Sequence, residues 1–174
     1  GVYFRHVLIS SLVYQVFNVG FYSRLVPIIF KAAKTEPVHV IEPLINKVYL
    51  KVVLFLVFIL FILVLVYLIG EGALYHQYSV EPFLLAGLLF ASSIRIRADL
   101  NALIFNAFYK ENVVLKMQFF CLCIGVFLSI IFTYLAGLQG VISASIFMSS
   151  VYLIYTYYSL KQLALDMGNE YRES

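Results

Sequence analysis

The hydrophobic and polar positions along this chain form long apolar runs broken by short polar connections. The longest run, "VVLFLVFILFILVLVYLIG" from Val52 to Gly70, contains no charge. It meets the roughly 20 residues that cross about 30 Å of hydrocarbon at about 1.5 Å per residue. Five such segments fit the chain: Val7 to Phe30, Tyr49 to Ile69, Phe83 to Tyr109, Val113 to Ala136 and Gln139 to Leu160. Helices are the economical reading, because each unpaired backbone group in lipid costs several kcal/mol, roughly. The expected fold is therefore all-α, a polytopic helical membrane protein of about five spans in a single transmembrane domain, with residues 161–174 as a tail.

The connections carry the punctuation. "KAAKTEPVHVIEPLINK" follows the first span, with Pro37 and Pro43 as breakers and a short surface helix expected from Pro43. "GEGALYHQYSVEP" links the second span to the third, "KEN" turns the third into the fourth, and "GLQG" turns the fourth into the fifth. Composition agrees: 63% of residues are hydrophobic and 12% charged, against about 25% charged in a soluble domain. Basic residues set the orientation. Lys31, Lys34, Lys47, Lys51, Lys110, Lys116, Lys161 and Arg172 fall on one side of the expected topology and Arg5 alone on the other, which puts the C-terminus in the cytoplasm. The chain opens "GVYFRHVL" with no methionine and no signal-peptide pattern, and five helices are an odd number for a repeat-built transporter, so a fragment lacking upstream helices is expected.

The opening "GVYFRHVLISSLVYQVFNVGFYSRLVPIIFKA" resembles the second half of polysaccharide and lipid-linked oligosaccharide flippases of the MOP superfamily. There G-x-Y opens a helix that ends near a proline followed by basic residues, the places taken by Gly1, Tyr3 and Pro27. "NAFYKENVVL" is similar to that family's short cytoplasmic turn, and "GLQGVISASIF", through Gly137 and Gly140, to its entry into the last helix. The resemblance spans essentially the whole chain. It implies two helical bundles around a central cavity, of which these helices would belong to the second, with a missing N-terminal bundle as partner. It also implies a bacterial inner membrane, an undecaprenyl-diphosphate-linked sugar unit as cargo for O-antigen or exopolysaccharide synthesis, and a polysaccharide polymerase as a further partner.

"SSIRIRADLNA", residues 92 to 102, is the chemical anomaly. Arg95 and Arg97 lie more than a helical turn inside the expected hydrocarbon region, where a charge costs about 2.5–3.5 kcal/mol on insertion scales and normally faces a bundle interior or a wet cavity. At the helical repeat Ser92, Arg95, Asp99 and Asn106 share one face, while Ser93, Arg97 and Asn101 share another. Arg95 and Asp99, at i and i+4, either neutralise each other as a pin between helices or contact a ligand. Arg97 has no acid on its own face, so its anion must come from a missing helix or from a ligand, and an aqueous cavity is the favoured reading. A diphosphate fits, since guanidinium presents planar paired donors to phosphate oxygens and keeps its charge at any working pH.

Further polar stripes are quieter. Ser11, Gln15, Asn18 and Tyr22 share a face of the first span, a spacing that suits sugar hydroxyls or ordinary interhelical contacts, and Gln15 and Asn18 join Arg95, Arg97, Asp99 and Asn101 as candidate substrate-binding residues. Ser145, Ser149, Tyr152, Thr156 and Ser159 form a seam in the last span that reads as close packing. Arg24 reaches headgroups by snorkelling. Cys121 and Cys123 point to nearly opposite faces of a membrane helix and read as apolar fillers. His6, His39 and His76 lie at or beyond span ends, with no nucleophile motif, Gly-rich phosphate loop or metal cluster, so neither catalysis nor a cofactor is expected. The positive balance is a topology signal and gives no reason to expect nucleic acid.

The commitment from sequence is a transporter that moves a lipid-linked oligosaccharide across the membrane by alternating access. A drug or cation antiporter, using Asp99 as a proton-exchanging carboxylate, and a non-transporting scaffold of a polysaccharide-synthesis complex are the alternatives. Topology is directly testable. In a background lacking Cys121 and Cys123, a cysteine at His76 is expected to react with an impermeant thiol reagent applied to intact cells, and one at His39 to be protected; the reverse pattern inverts the orientation.

Overall fold

The computed structural model describes residues 2–69 and 82–173. Helix α1 (Val2–Phe17), a π-helical turn (Asn18–Tyr22) and α2 (Ser23–Ala32) run on without interruption. After the turn at 33–37 come α3 (Val38–Ile69), then α4 (Pro82–Ala107) and α5 (Glu111–Glu173). Among the described residues every element is helical. Three stretches are long and apolar enough to cross a membrane: Ser11–Ala32, Val38–Ile62 and Glu111–Asp166. Helix α4 is 26 residues long but carries Arg95, Arg97 and Asp99. The expected connection containing His76 lies outside the described residues.

Two boundaries differ from the sequence expectation. The short surface helix at Pro43 and the span from Tyr49 are one 32-residue helix with Pro43 inside it. Nothing between Pro43 and Val52 breaks a helix, and a proline this close to the N-terminus removes one hydrogen bond without stopping propagation. The expected tail likewise continues α5 to Glu173.

The π turn has a local cause. The Ser23 amide bonds back to the Asn18 carbonyl, and the Ser23 hydroxyl donates to the Val19 carbonyl at 2.5 Å. Four residues on, Pro27 has no amide proton to offer. Helix α4 ends in a Schellman closure: the Lys110 amide reaches the Phe105 carbonyl at 2.9 Å and the Tyr109 amide the Asn106 carbonyl at 3.2 Å, with Tyr109 at φ 59°.

Helix α5 is folded on itself. Gly137 takes φ 55° and ψ −130°, a conformation open to glycine and strained for other residues. The two arms, residues 111–136 and 138–173, then return alongside each other. Met148 lies 3.5 Å from where a Cβ on Gly125 would sit, and the Phe132 carbonyl oxygen 1.8 Å from where one on Gly140 would sit. The "GLQG" turn of the sequence is this reversal.

Helix α4 is the hub. It packs along α5 and also against α3, α1 and α2, and Ile96, Ala98, Leu100, Leu103 and Ile104 are wholly or almost wholly buried. The outer faces are the opposite of a soluble protein's: Phe127, Tyr134, Leu135 and Leu165 on α5 are all more than 60% exposed. In water such surface costs about 25 cal/mol per Å², a cost that contact with lipid removes.

Gly140→Ala is expected to force the Phe132 backbone aside and lower the melting temperature in detergent by at least about 4 °C, the shift about 2 kcal/mol makes in a chain of this size. Gly20→Ala, where nothing lies within 4 Å of the added carbon, serves as the control and is expected to melt near wild type.

Candidate functional site: an arginine on the wall of an intramembrane cleft

Helix α4 separates α1 from the α5 hairpin, and the two flanking elements scarcely touch each other. The gap between them is a cleft of about 1100 Å³. Its wall is mostly apolar, with Ser11 and Tyr14 from α1, Ser92 and Arg95 from α4, and Gln118 and Ser145 from α5 among the polar groups. Ser11, Ser92 and Ser145 each donate to a carbonyl of their own helix at 2.9 Å, which satisfies their protons and leaves their oxygens free to accept.

Arg95 is the cation of this wall, and its environment comes from three elements. On its own helix, its Nε lies 3.4 Å from Oδ1 of Asp99, one turn on. From α1 the Tyr14 hydroxyl donates to the other carboxylate oxygen, Oδ2, at 2.5 Å. From α5 the Tyr152 ring lies under the guanidinium, 4.5 Å from Cζ to the ring centroid, a cation–π distance. The Asp99 side chain is only 14% exposed whereas that of Arg95 is 43% exposed. The carboxylate thus lies behind the wall and the guanidinium on it. Among the described residues neither terminal nitrogen of Arg95 has a hydrogen-bond acceptor, and neither is buried. Two planar donors are presented to the cleft.

The other residues singled out by sequence fall elsewhere. Arg97 is not on this wall. It points to α3, with its Cζ 5.5 Å from the centroid of Tyr49, and its Nη1 is buried without a hydrogen-bond partner among the described residues. The anion expected from a ligand or a missing helix has a counterpart within the chain instead: Glu42 is in electrostatic reach, carried alongside α4 by the unbroken α3. Asn101 is 1% exposed and donates to Thr156 Oγ1 at 3.4 Å, with its Oδ1 unpartnered, so it pins α4 to α5. Gln15 is exposed and Asn18 sits half-buried in the π turn; neither lines the cleft. Of the hydroxyl seam, Ser149, Tyr152 and Thr156 are buried, whereas Ser145 is half-buried on the cleft wall and Ser159 is half-buried. Cys121 is buried and Cys123 exposed, as their spacing requires.

Three residues of the site escaped the sequence reading. Tyr14 lies three positions after Ser11 and four before Asn18, so it shares the face already recognised and could have been found there. Tyr152 belongs to the seam that the sequence reads as close packing. Gln118 carried no signal, since only the hairpin brings it to the cleft. Against known proteins the chain stands by itself: no family model, curated protein or solved structure matches it.

Such a site can hold an amphipathic anion, with its negative group on Arg95 and its apolar part along the wall, while Asp99 limits the net positive charge. Removing the Tyr14 hydroxyl by Tyr14→Phe is expected to cost about 1.5–3 kcal/mol, since a mostly buried carboxylate loses a charged hydrogen bond. Asp99→Ala is expected to lower stability by leaving Arg95 without its counter-charge, and Arg95→Ala with Asp99→Ala to recover part of it, giving a coupling of about 1 kcal/mol or more in thermal melts. Additive losses would separate the pair.

Proposed function

We propose that this chain is part of a membrane flippase that translocates a lipid-linked oligosaccharide carried on a diphosphate, for surface polysaccharide synthesis in the bacterial inner membrane. The observation that carries the reading is Arg95, with two unengaged donors on the wall of a mostly apolar cleft. A diphosphate takes those donors, the cleft's hydroxyl and amide oxygens meet sugar hydroxyls, and the apolar walls accompany an isoprenoid tail. On this reading the hairpin of α5 supplies two spans and α4 a further one, giving five with α1–α2 and α3. The bundle that completes the cavity is a partner, and Arg95 takes the diphosphate role that sequence alone placed on Arg97.

The two other readings use the same atoms differently. An antiporter would use Asp99 itself to hold the cationic cargo, a place that Arg95 and Tyr14 take on its two oxygens. A scaffold needs only the links from α1 and α5 to the charged turn of α4. Transport of a lipid-linked sugar into vesicles, with the protein expressed from its own gene, decides among them. Arg95→Lys is expected to lose about tenfold in rate, equivalent to about 1.4 kcal/mol, because a point charge replaces a planar fork. Arg97→Lys, which keeps a cation beside Tyr49, is expected to remain near wild type. Unchanged transport in Arg95→Ala at normal membrane levels would remove the diphosphate role and favour the scaffold.

A further inference from the structure

Asp99 and any anion in the cleft compete for the same guanidinium. Arg95 meets Asp99 through Nε at 3.4 Å, a long contact, while its partly exposed side chain lines the cleft. An anion that draws the guanidinium outward lengthens that contact further and leaves Asp99 with neutral hydroxyls alone, those of Tyr14 and Tyr152. A carboxylate this enclosed cannot keep its charge cheaply once its cation is shared.

The surroundings supply no substitute cation. Facing Asp99 are Arg95 on its own helix, Tyr14 from α1, Tyr22 from the π turn and Tyr152 from α5, and Cys121 of α5 lies near Arg95 and Tyr152. Arg97 is turned to the far side, toward Glu42 and Tyr49 of α3. A proton is the remaining way to neutralise the carboxylate, and there is a place for it. The Tyr152 hydroxyl is buried beside Asp99 and Gln118 with neither in full hydrogen-bond geometry; it turns its proton to a charged Asp99 and can turn its oxygen to a neutral one. A neutral Asp99 has an O–H to donate to that oxygen while its other oxygen still accepts from Tyr14.

We infer that the Arg95–Asp99–Tyr14–Tyr152 cluster couples anion binding to protonation: the cleft takes its anionic cargo together with one proton, which moves from solvent to the Asp99 carboxylate as the anion engages Arg95. No bond other than this O–H is made or broken. The inference rests on the anion-binding reading of the cleft and adds the ion that travels with the cargo. By linkage, anion affinity falls as pH rises through the titration of Asp99, by about tenfold per pH unit where one full proton is taken up.

The test uses the detergent-purified protein and farnesyl diphosphate as the probe, with affinity and proton uptake measured across pH in weak buffer. Wild type is expected to take up close to one proton more per bound probe than Asp99→Asn, and to lose affinity with rising pH. Asp99→Asn, a neutral mimic, is expected to bind with a much flatter pH dependence, set by the probe's own titration. Equal proton uptake and equal pH slopes in the two proteins overturn the coupling and leave the anion site standing; failure of wild type to bind the probe at any pH overturns the anion site itself. Should Asp99→Asn fail to fold, Tyr14→Phe serves: it removes a donor to the charged carboxylate, so the fall in affinity is expected to move to higher pH, and an unmoved profile overturns the coupling.

Discussion

A carboxylate and a guanidinium one turn apart on the most enclosed helix of an apolar bundle must both be satisfied there, and the packing near them follows from that need. Asp99 takes Arg95 from its own helix and a hydroxyl from α1, and Arg95 lies on an aromatic ring from α5. The three contacts come from three directions. They tie α1 and the hairpin to α4 at one level, even though α1 and the hairpin hardly meet. The cleft is the space left between two elements joined only through the charged turn, so its position and its cation share one cause.

The hairpin is the second constraint. With Gly137 in a backbone region open to glycine and Gly140 pressed on the Phe132 carbonyl, two long apolar arms lie side by side without a connecting loop. That reversal brings Gln118 of the first arm and Ser145 of the second to the same cleft. The second arm then runs beside α4, where Ile142 fills the place a Cβ on Gly87 would occupy and Thr156 meets Asn101. The polar contact is shielded from lipid and from water, which makes it directional: sliding α5 by one turn would take this acceptor from the Asn101 amide in an apolar interior, while Thr156 keeps its own bond to the Leu153 carbonyl.

The two arginines illustrate how neighbouring charges acquire different work. Two residues apart on a helix, they point to different sides by about 160°. Arg97 meets α3, whose unbroken first turns bring up Tyr49 and Glu42, and it is spent on holding that helix. Arg95 meets a carboxylate that α1 already holds, and keeps two donors to offer. Freedom to bind a ligand thus depends on what each neighbouring helix supplies.

The sequence by itself determined the material of the protein. Long uncharged runs call for helices in lipid, the small "GLQG" stretch for a tight reversal, and the i, i+4 spacing of Arg95 and Asp99 puts them within reach of each other, because each follows from local geometry and solvation. The merged helix over Val38–Ile69 was less legible, since a proline near a helix start permits either a break or continuation and neighbours decide. Which arginine faces the cleft, that Tyr14 holds Asp99, and that Asn101 is an internal pin were decided only in the tertiary structure. Residues 85 and 55 positions apart meet there, and no periodicity along one helix encodes the rotation of its neighbours.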